Sequence, residues 1–138
     1  MKTLLLFAAA LLSATPALAA APIEGSWRNP SGSVTVRIGP CGETLCGRVV
    51  AASPRARAEA ADAGTERLVG TELMSGLEAV GPGAWRADIF VPDKNIRAEG
   101  ELHLTGPRTM DVQGCAMGGL ICKTQQWTRV AAPPRRKR

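Results

Sequence analysis

The sequence predicts an all-β fold, an antiparallel sandwich or barrel, and three observations carry this prediction. From residue 23 onward, apolar and polar side chains alternate with a period of two, as they do along strands with one buried and one solvated face. Clusters of Pro, Gly, Asn and Asp, which favour tight turns, separate these runs. The runs are short and closely spaced, which is typical of sandwiches and barrels. A length of 138 residues corresponds to one domain.

The alternation predicts seven strands. Trp85, Ala87 and Ile89 form an apolar face opposite Arg86 and Asp88. A second apolar face is expected along the fifth predicted strand, where the inward residues are Ile96, Ala98, Gly100, Leu102 and Leu104. The predicted strands cover residues 23–28, 33–39, 45–51, 85–91, 96–104, 109–115 and 121–130.

Residues 53–66 interrupt the strand pattern. Ser53 is suited to cap a helix and Pro54 to occupy its first turn. Because alanine supplies the only apolar side chains there, a helix would have little to bury, so both a short exposed helix and a loop fit this insertion. The following residues, 68–80, fit either one or two further strands or a helix capped by Thr71.

The N terminus predicts a secretory signal peptide over residues 1–19. Lys2 supplies a positive charge, residues 4–12 form an unbroken apolar run, and residues 17–19 place alanine at the two positions that a signal peptidase reads. The run is shorter than the roughly 20 residues that a membrane-spanning helix needs. We therefore expect cleavage after Ala19, no transmembrane segment, and a periplasmic or secreted protein.

The formal net charge of +5 belongs to the two ends of the chain. Lys2 lies in the leader, and four more cations follow the pair Pro133-Pro134; they are Arg135, Arg136, Lys137 and Arg138. The expected domain between the ends is therefore neutral. We expect residues 131–138 to form a disordered basic tail that makes weak contact with an anionic surface, at about 1 kcal/mol per residue. Because an exported protein does not meet nucleic acid, we expect no nucleic-acid binding by this tail.

The cysteines predict disulfides. Their number is even, in a chain expected to pass through an oxidising compartment. Among three pairings we favour the two local ones, Cys41 with Cys46 and Cys115 with Cys122, because each closes a hairpin whose tip contains glycine. Zinc sites usually contain two cysteines separated by two residues, and redox-active or haem-attaching motifs need this same C-x-x-C spacing, which does not occur in the sequence. We therefore expect no metal and no cofactor.

Two short motifs lie at opposite ends of the expected domain. Gly25-x-Trp27 opens the first strand, and Trp127-x-Arg129 lies in the last. Together they resemble the calycin superfamily of lipocalin-like barrels. In those barrels the first-strand Trp closes the floor and the Arg lies across it, a contact that contributes about 0.5 to 2 kcal/mol. The resemblance implies a small antiparallel up-and-down barrel over residues 23–130, with Gly25, Trp27, Trp127 and Arg129 as its closure signature.

A longer set of residues extends this resemblance along the chain. These residues are Gly25-x-Trp27, Val36-x-Ile38, Cys41-Gly42, Leu45-Cys46-Gly47-Arg48-Val49, Arg67-Leu68-x-Gly70, Val112-x-Gly114-Cys115 and Gln125-x-Trp127-Thr128-Arg129-Val130. They are similar to the domain of unknown function 2147 family of exported bacterial proteins. Together they cover essentially all of residues 23–130. The similarity implies a fold and a cellular location more than an activity.

The residue pattern does not predict an enzyme. A catalytic triad needs a His that is oriented by a carboxylate and reaches a nucleophile. The single histidine, His103, is expected on the wet face of its strand beside Glu101, with no Ser or Cys placed to complete a triad, and Glu99 and Glu101 are expected to be solvated surface charges.

Two kinds of non-enzymatic function fit the sequence. The first is a lipocalin-like barrel that binds a small apolar ligand, because barrels of about eight strands can enclose one such molecule. The alternative is an interaction protein of the envelope, such as a protease or lysozyme inhibitor, that acts through the barrel loops. An interior filled by the chain's own side chains would leave no room for the ligand.

Overall fold

The computed structural model describes residues 21–131. Eight antiparallel strands, each paired with its neighbours in sequence, close into a barrel because the last strand also pairs with the first, so the predicted all-β barrel is confirmed. The elements are β1 (Gly25–Arg28), β2 (Val34–Cys41), β3 (Thr44–Ala52), α1 (Pro54–Asp62), β4 (Glu72–Gly81), β5 (Ala84–Val91), β6 (Ile96–Gly106), β7 (Thr109–Ala116) and β8 (Ile121–Val130). The expected leader, residues 1–19, and the basic residues of the expected tail lie outside the described residues.

All seven predicted strands occur, and the undecided residues 68–80 supply the eighth as β4. Its register with β5 shifts between Ser75 and Glu78, around Gly76, which has a φ of 60°. This irregularity breaks the period-two alternation and explains why the sequence pattern left the segment open. The first strand begins at Gly25, two residues later than predicted, because the chain turns just before it, where the N–H of Glu24 donates to the carbonyl of Ala21. Ile23 is fully buried in this turn.

The insertion after β3 forms a helix. The Ser53 hydroxyl accepts a hydrogen bond from the backbone N–H of Ala56 at 3.1 Å, and Pro54 occupies the first helical position. Among the residues of α1, Ala60 alone is buried, and it packs into the main core. The helix therefore rests on the barrel through one alanine face. Over residues 21–131, no helix has the length and apolar character needed to cross a membrane.

The up-and-down topology gives the barrel two distinct ends. We call the end that carries α1 and the β1–β2, β5–β6 and β7–β8 turns the mouth, and the opposite end the floor. The floor half is filled by large buried side chains; they are Ile23, Trp27, Ile38, Leu77, Trp85, Leu102 and Met110. Both ends of the described chain leave the barrel at the floor, since β1 starts there and β8 finishes there.

One residue of the predicted apolar face behaves differently from its neighbours. Ile96 is 43% exposed, whereas Leu102 on the same strand is fully buried. Ile96 is the first residue of β6 and pairs with Val91 next to the β5–β6 turn, so it lies at the rim of the mouth, beyond the packed layers. The alternation of β6 was therefore predicted correctly, but the burial of its first residue was not.

Candidate functional site

A cavity of about 510 Å³ occupies the mouth half of the barrel. Its deeper walls are apolar and come from strands on several sides, with α1 and Leu68 forming one flank. The apolar lining residues other than alanine, glycine and proline are Val34, Leu68, Leu73, Met74, Ile89, Phe90, Val91, Ile96, Val112, Ile121 and Trp127. The barrel therefore has a packed floor half and an unfilled mouth half.

Small residues on the inner faces of β6 and β7 leave this volume unfilled. Ala98, Gly114 and Ala116 all line the cavity. A Cβ added to Gly114 would lie 3.8 Å from the Cβ of Ala98, an ordinary contact distance, so the backbone there has room for a side chain that the sequence does not supply. The space beside Gly100, by contrast, is already occupied, because an added Cβ would overlap the Ile89 side chain.

The rim of the cavity is polar. Asn29 receives a hydrogen bond from the backbone N–H of Val34 on its Oδ1 and donates one from Nδ2 to the hydroxyl of Ser33, each at 3.0 Å. On β8 the indole N–H of Trp127 donates to Gln125 Oε1 at 3.3 Å. The charged lining residues are Glu59, Asp93, Lys94 and Lys123. An apolar interior beneath a polar rim suits a ligand with an apolar body and a polar end.

Arg129 braces the floor beneath this cavity. Its guanidinium carbon lies 4.3 Å from the centroid of the Trp27 ring. Nη1 donates to the carbonyl of Glu24 and Nη2 to that of Pro22, each at 2.7 Å, and Nε donates to the carbonyl of Pro107 at 3.1 Å. One side chain thus ties the segment before β1 and the β6–β7 turn to the last strand. The sequence motif implied the indole contact, but it carried no signal for the three carbonyl contacts.

Glycine is required at the start of β1 because Arg129 approaches the backbone there. Gly25 has a φ of 132°, a conformation that L side chains rarely adopt. A Cβ at this position would lie 2.7 Å from Arg129 Nη1, which the carbonyl of Glu24 holds in place. The spacing between Gly25 and Trp27 therefore places a close approach and a stacking surface around one guanidinium.

The two disulfides lie at opposite ends of the barrel. Cys41 is bonded to Cys46 across the β2–β3 turn at the floor, and Cys115 to Cys122 across the β7–β8 turn at the mouth. Both are the local pairings that the sequence predicted.

A carboxylate oxygen of Glu72 and the sulfur atoms of Cys41 and Cys46 all lie within 4.8 Å of one another. Cysteine binds a metal ion as a thiolate, and the two sulfur atoms are bonded to each other instead. The Glu72 carboxylate accepts a hydrogen bond from the Arg48 guanidinium at 2.9 Å.

His103 lies on the outer surface, away from the cavity. Its Nε2 is 3.2 Å from Glu101 Oε2, and both side chains are about half exposed. Glu99 is exposed on the same outer face of β6. All four cysteines are in disulfides, so no thiol is available to this pair as a nucleophile. The structure therefore brings His103 and Glu101 together, but not with the cavity.

Comparisons with known proteins identify the fold and the family. No protein with a curated description matches the sequence. The structure is similar to the solved structure of protein HP1028 from Helicobacter pylori, which is described as belonging to the lipocalin family; the TM-score is 0.57 at 10% identity, over 79% of this chain and 83% of that one. At this identity the likeness shows a shared fold alone. The family model described as "Uncharacterized protein conserved in bacteria (DUF2147)" matches residues 25–129, and the chain therefore belongs to the domain of unknown function 2147 family.

Proposed function

We propose that the protein is an exported, non-enzymatic binding protein that takes a small apolar ligand into the mouth half of its barrel. The cavity carries this proposal. Its volume of about 510 Å³ falls within the roughly 300 to 1,000 Å³ that is usual for small-molecule sites. Its deep walls are apolar, so a ligand gains free energy chiefly by leaving water.

The geometry gives the ligand a direction of entry. The floor half is filled by buried side chains and braced by Arg129, whereas the cavity is bordered by the turns of the mouth. An amphiphile would therefore enter with its apolar end first. Its polar end would remain at the rim, near Lys94, Lys123 and the hydroxyl groups of the β1–β2 turn.

Export is part of the same proposal. It is supported by the leader-like residues 1–19 and by two disulfides, which form and persist in oxidising compartments. An apolar ligand dissolves poorly in the aqueous space of the envelope, so a barrel that encloses it there would act as a carrier or a scavenger. Amino-terminal sequencing of the protein recovered from the envelope tests this part, and a chain that still begins at Met1 would contradict it.

Fluorescence quenching tests whether the cavity takes up an apolar molecule. Of the three tryptophans, Trp127 lines the cavity, while Trp27 and Trp85 are buried in the floor half. A brominated long-chain alcohol should therefore quench wild-type emission to saturation. This saturable quenching should disappear in Trp127→Phe and persist in the matched control Trp85→Phe. Equal quenching in both variants would place the probe outside the cavity and contradict the proposal.

Native mass spectrometry of protein purified from its own envelope tests the natural ligand. A carrier should retain an adduct of lipid-like mass that is lost on denaturation. Repeated absence of any adduct, together with stoichiometric capture of one envelope protein, would replace the carrier with the alternative interaction protein.

A further inference from the structure

The β7–β8 hairpin presents bare aliphatic side chains at the mouth. Leu120 is 84% exposed, Met117 70% and Ile121 58%. Every other large hydrophobic residue in the described part of the chain is at most 50% exposed. Scattered single apolar residues are normal on a surface, but three within five residues at one turn form a concentrated feature.

The tip of this hairpin, residues 116–121, has no neighbouring strand on its β8 side. β8 pairs with β1 only between Thr128 and Val130, so β7 is the one strand that pairs with the mouth half of β8. Cys115 and Cys122 face each other in the register and are covalently bonded at the base of the tip. The exposed side chains are therefore carried on a short stapled turn, with Ile121 at its edge also lining the cavity.

The charges around the tip favour an anionic partner. Residues 115–122 contain no charged side chain. Lys123 follows directly on β8, and the β5–β6 turn region contributes Lys94 and Arg97; the acidic residues of the same region are Asp93 and Glu99. The tip is therefore apolar and uncharged, and the three cations and two anions beside it leave a local excess of one positive charge, which favours an anionic bilayer surface over a neutral one.

We propose that this tip inserts into the interface of an anionic lipid bilayer, so that the protein docks on the membrane with its mouth against the lipid. A second copy of the chain is a poorer occupant. It would bring a second set of Lys94, Arg97 and Lys123 to the contact, and like charges repel across an interface, whereas an anionic bilayer surface attracts them. In the docked state the cavity opens beside lipid, and an apolar ligand passes into it without crossing water.

Vesicle binding tests this docking. Protein expressed from the sequence of 138 residues and purified as the cell processes it is mixed with vesicles of equal parts phosphatidylglycerol and phosphatidylethanolamine, and the bound fraction is measured by sedimentation. Leu120→Ser should lower the partition coefficient about tenfold, since one exposed aliphatic side chain no longer enters the interface. The matched control is Val80→Ser, because Val80 is 50% exposed but lies at the floor end of β4. It should bind as wild type does.

A depth measurement keeps the test independent of the serine variants. The indole introduced by Leu120→Trp should shift to shorter emission wavelengths on vesicles and be quenched by phospholipids brominated in their acyl chains, after subtraction of wild-type emission. The indole introduced by Val80→Trp should do neither. Unchanged partitioning of Leu120→Ser, or a dimer in sedimentation equilibrium that this substitution dissociates, would overturn the proposal. Ligand uptake by Trp127 quenching is scored separately, so either proposal can fail without the other.

Discussion

At the scale of single residues, Arg129 does more than lie over an indole. Its guanidinium contacts the Trp27 ring and donates to three backbone carbonyls that belong to the pre-β1 segment and the β6–β7 turn. Arginine suits this task because its planar fork presents several donors in a fixed geometry, which lysine does not. The floor of the barrel therefore depends on one side chain that joins three parts of the chain distant in sequence.

Removal of this side chain should destabilise the protein by more than a cation–π contact alone. We expect Arg129→Ala to lower the free energy of unfolding by about 2 to 4 kcal/mol, which combines the indole contact with charge-assisted hydrogen bonds. Urea denaturation measures the change. Arg108→Ala is the control, because Arg108 is exposed in the adjacent turn, and exposed surface substitutions usually stay within about 0.5 kcal/mol.

A double-mutant cycle isolates the contact between Arg129 and Trp27. Residues in contact usually couple by about 0.5 to 3 kcal/mol, so Arg129→Ala and Trp27→Phe should not be additive. Strict additivity would show that the indole does not contribute to holding the guanidinium.

The residue motifs predicted the contacts at the floor of the barrel better than they predicted the cavity in its mouth half. Gly25, Trp27 and Arg129 stand out because their types and spacing are unusual, and the Arg129 side chain does contact the Trp27 ring and approach the backbone at Gly25. The residues that create the cavity have no such signal. Ala98 and Gly114 are small residues on an apolar face, a pattern that is equally common in packed strands, and only the positions of their neighbours show that the space before them is empty.

At the scale of elements, the two disulfide-bonded hairpins differ in what they hold. Cys46 is buried at the floor, where Cys41–Cys46 joins the ends of β2 and β3. Cys122 is exposed at the mouth, where Cys115–Cys122 supports the tip of the β7–β8 hairpin. Both close short loops, so chain entropy favours them by similar small amounts. The difference in stability lost when each disulfide is removed should therefore depend on how deeply its sulfur atoms are buried.

Paired alanine substitutions should separate these roles. Each disulfide is expected to contribute about 2 to 2.5 kcal/mol from loop closure, and Cys41→Ala with Cys46→Ala should cost more than this because a buried sulfur is also lost. Cys115→Ala with Cys122→Ala should cost no more than the entropic amount. Thermal unfolding compares them. A larger loss from the mouth pair would contradict the packing argument, and free thiols in the unfolded, unreduced protein would contradict the pairings themselves.

The elements that sequence patterning missed are those shaped by local irregularity or by tertiary contact. β4 was undecided because the register shift around Gly76 disturbs its alternation. Ser53 and Pro54 predicted the first turn of α1. The helix also packs Ala60 against the barrel, and the sequence alone does not show that this packing surface exists.

At the scale of the whole molecule, the two halves of the barrel interior differ in how fully their side chains pack. The floor half is packed with large side chains, while the mouth half keeps about 510 Å³ unfilled. Unfilled apolar space forgoes dispersion contacts and burial that the chain could otherwise gain. A cavity that is retained at this cost is typical of a site shaped for a ligand.

Filling the cavity should therefore exchange binding for stability. We expect Ala98→Leu to raise the free energy of unfolding by about 1 to 2 kcal/mol, since each buried methylene is worth roughly 0.8 kcal/mol, and to weaken uptake of the brominated alcohol at least about tenfold. The control is Val50→Leu, on the outer face of β3, where Val50 is 47% exposed. A fall in stability would mean that the wall at Ala98 has no free space before it.

The exit of both described chain ends at the floor has a practical consequence for handling the protein. A surface tether, a fluorophore or a fusion partner attached to either end would lie about one strand length from the mouth, roughly 25 Å away. Such attachments would hold the molecules in one common orientation, with every mouth facing the solution. Immobilised protein should thus present its cavity uniformly to a ligand or a vesicle, whichever of the two described ends, residue 21 or residue 131, carries the tether.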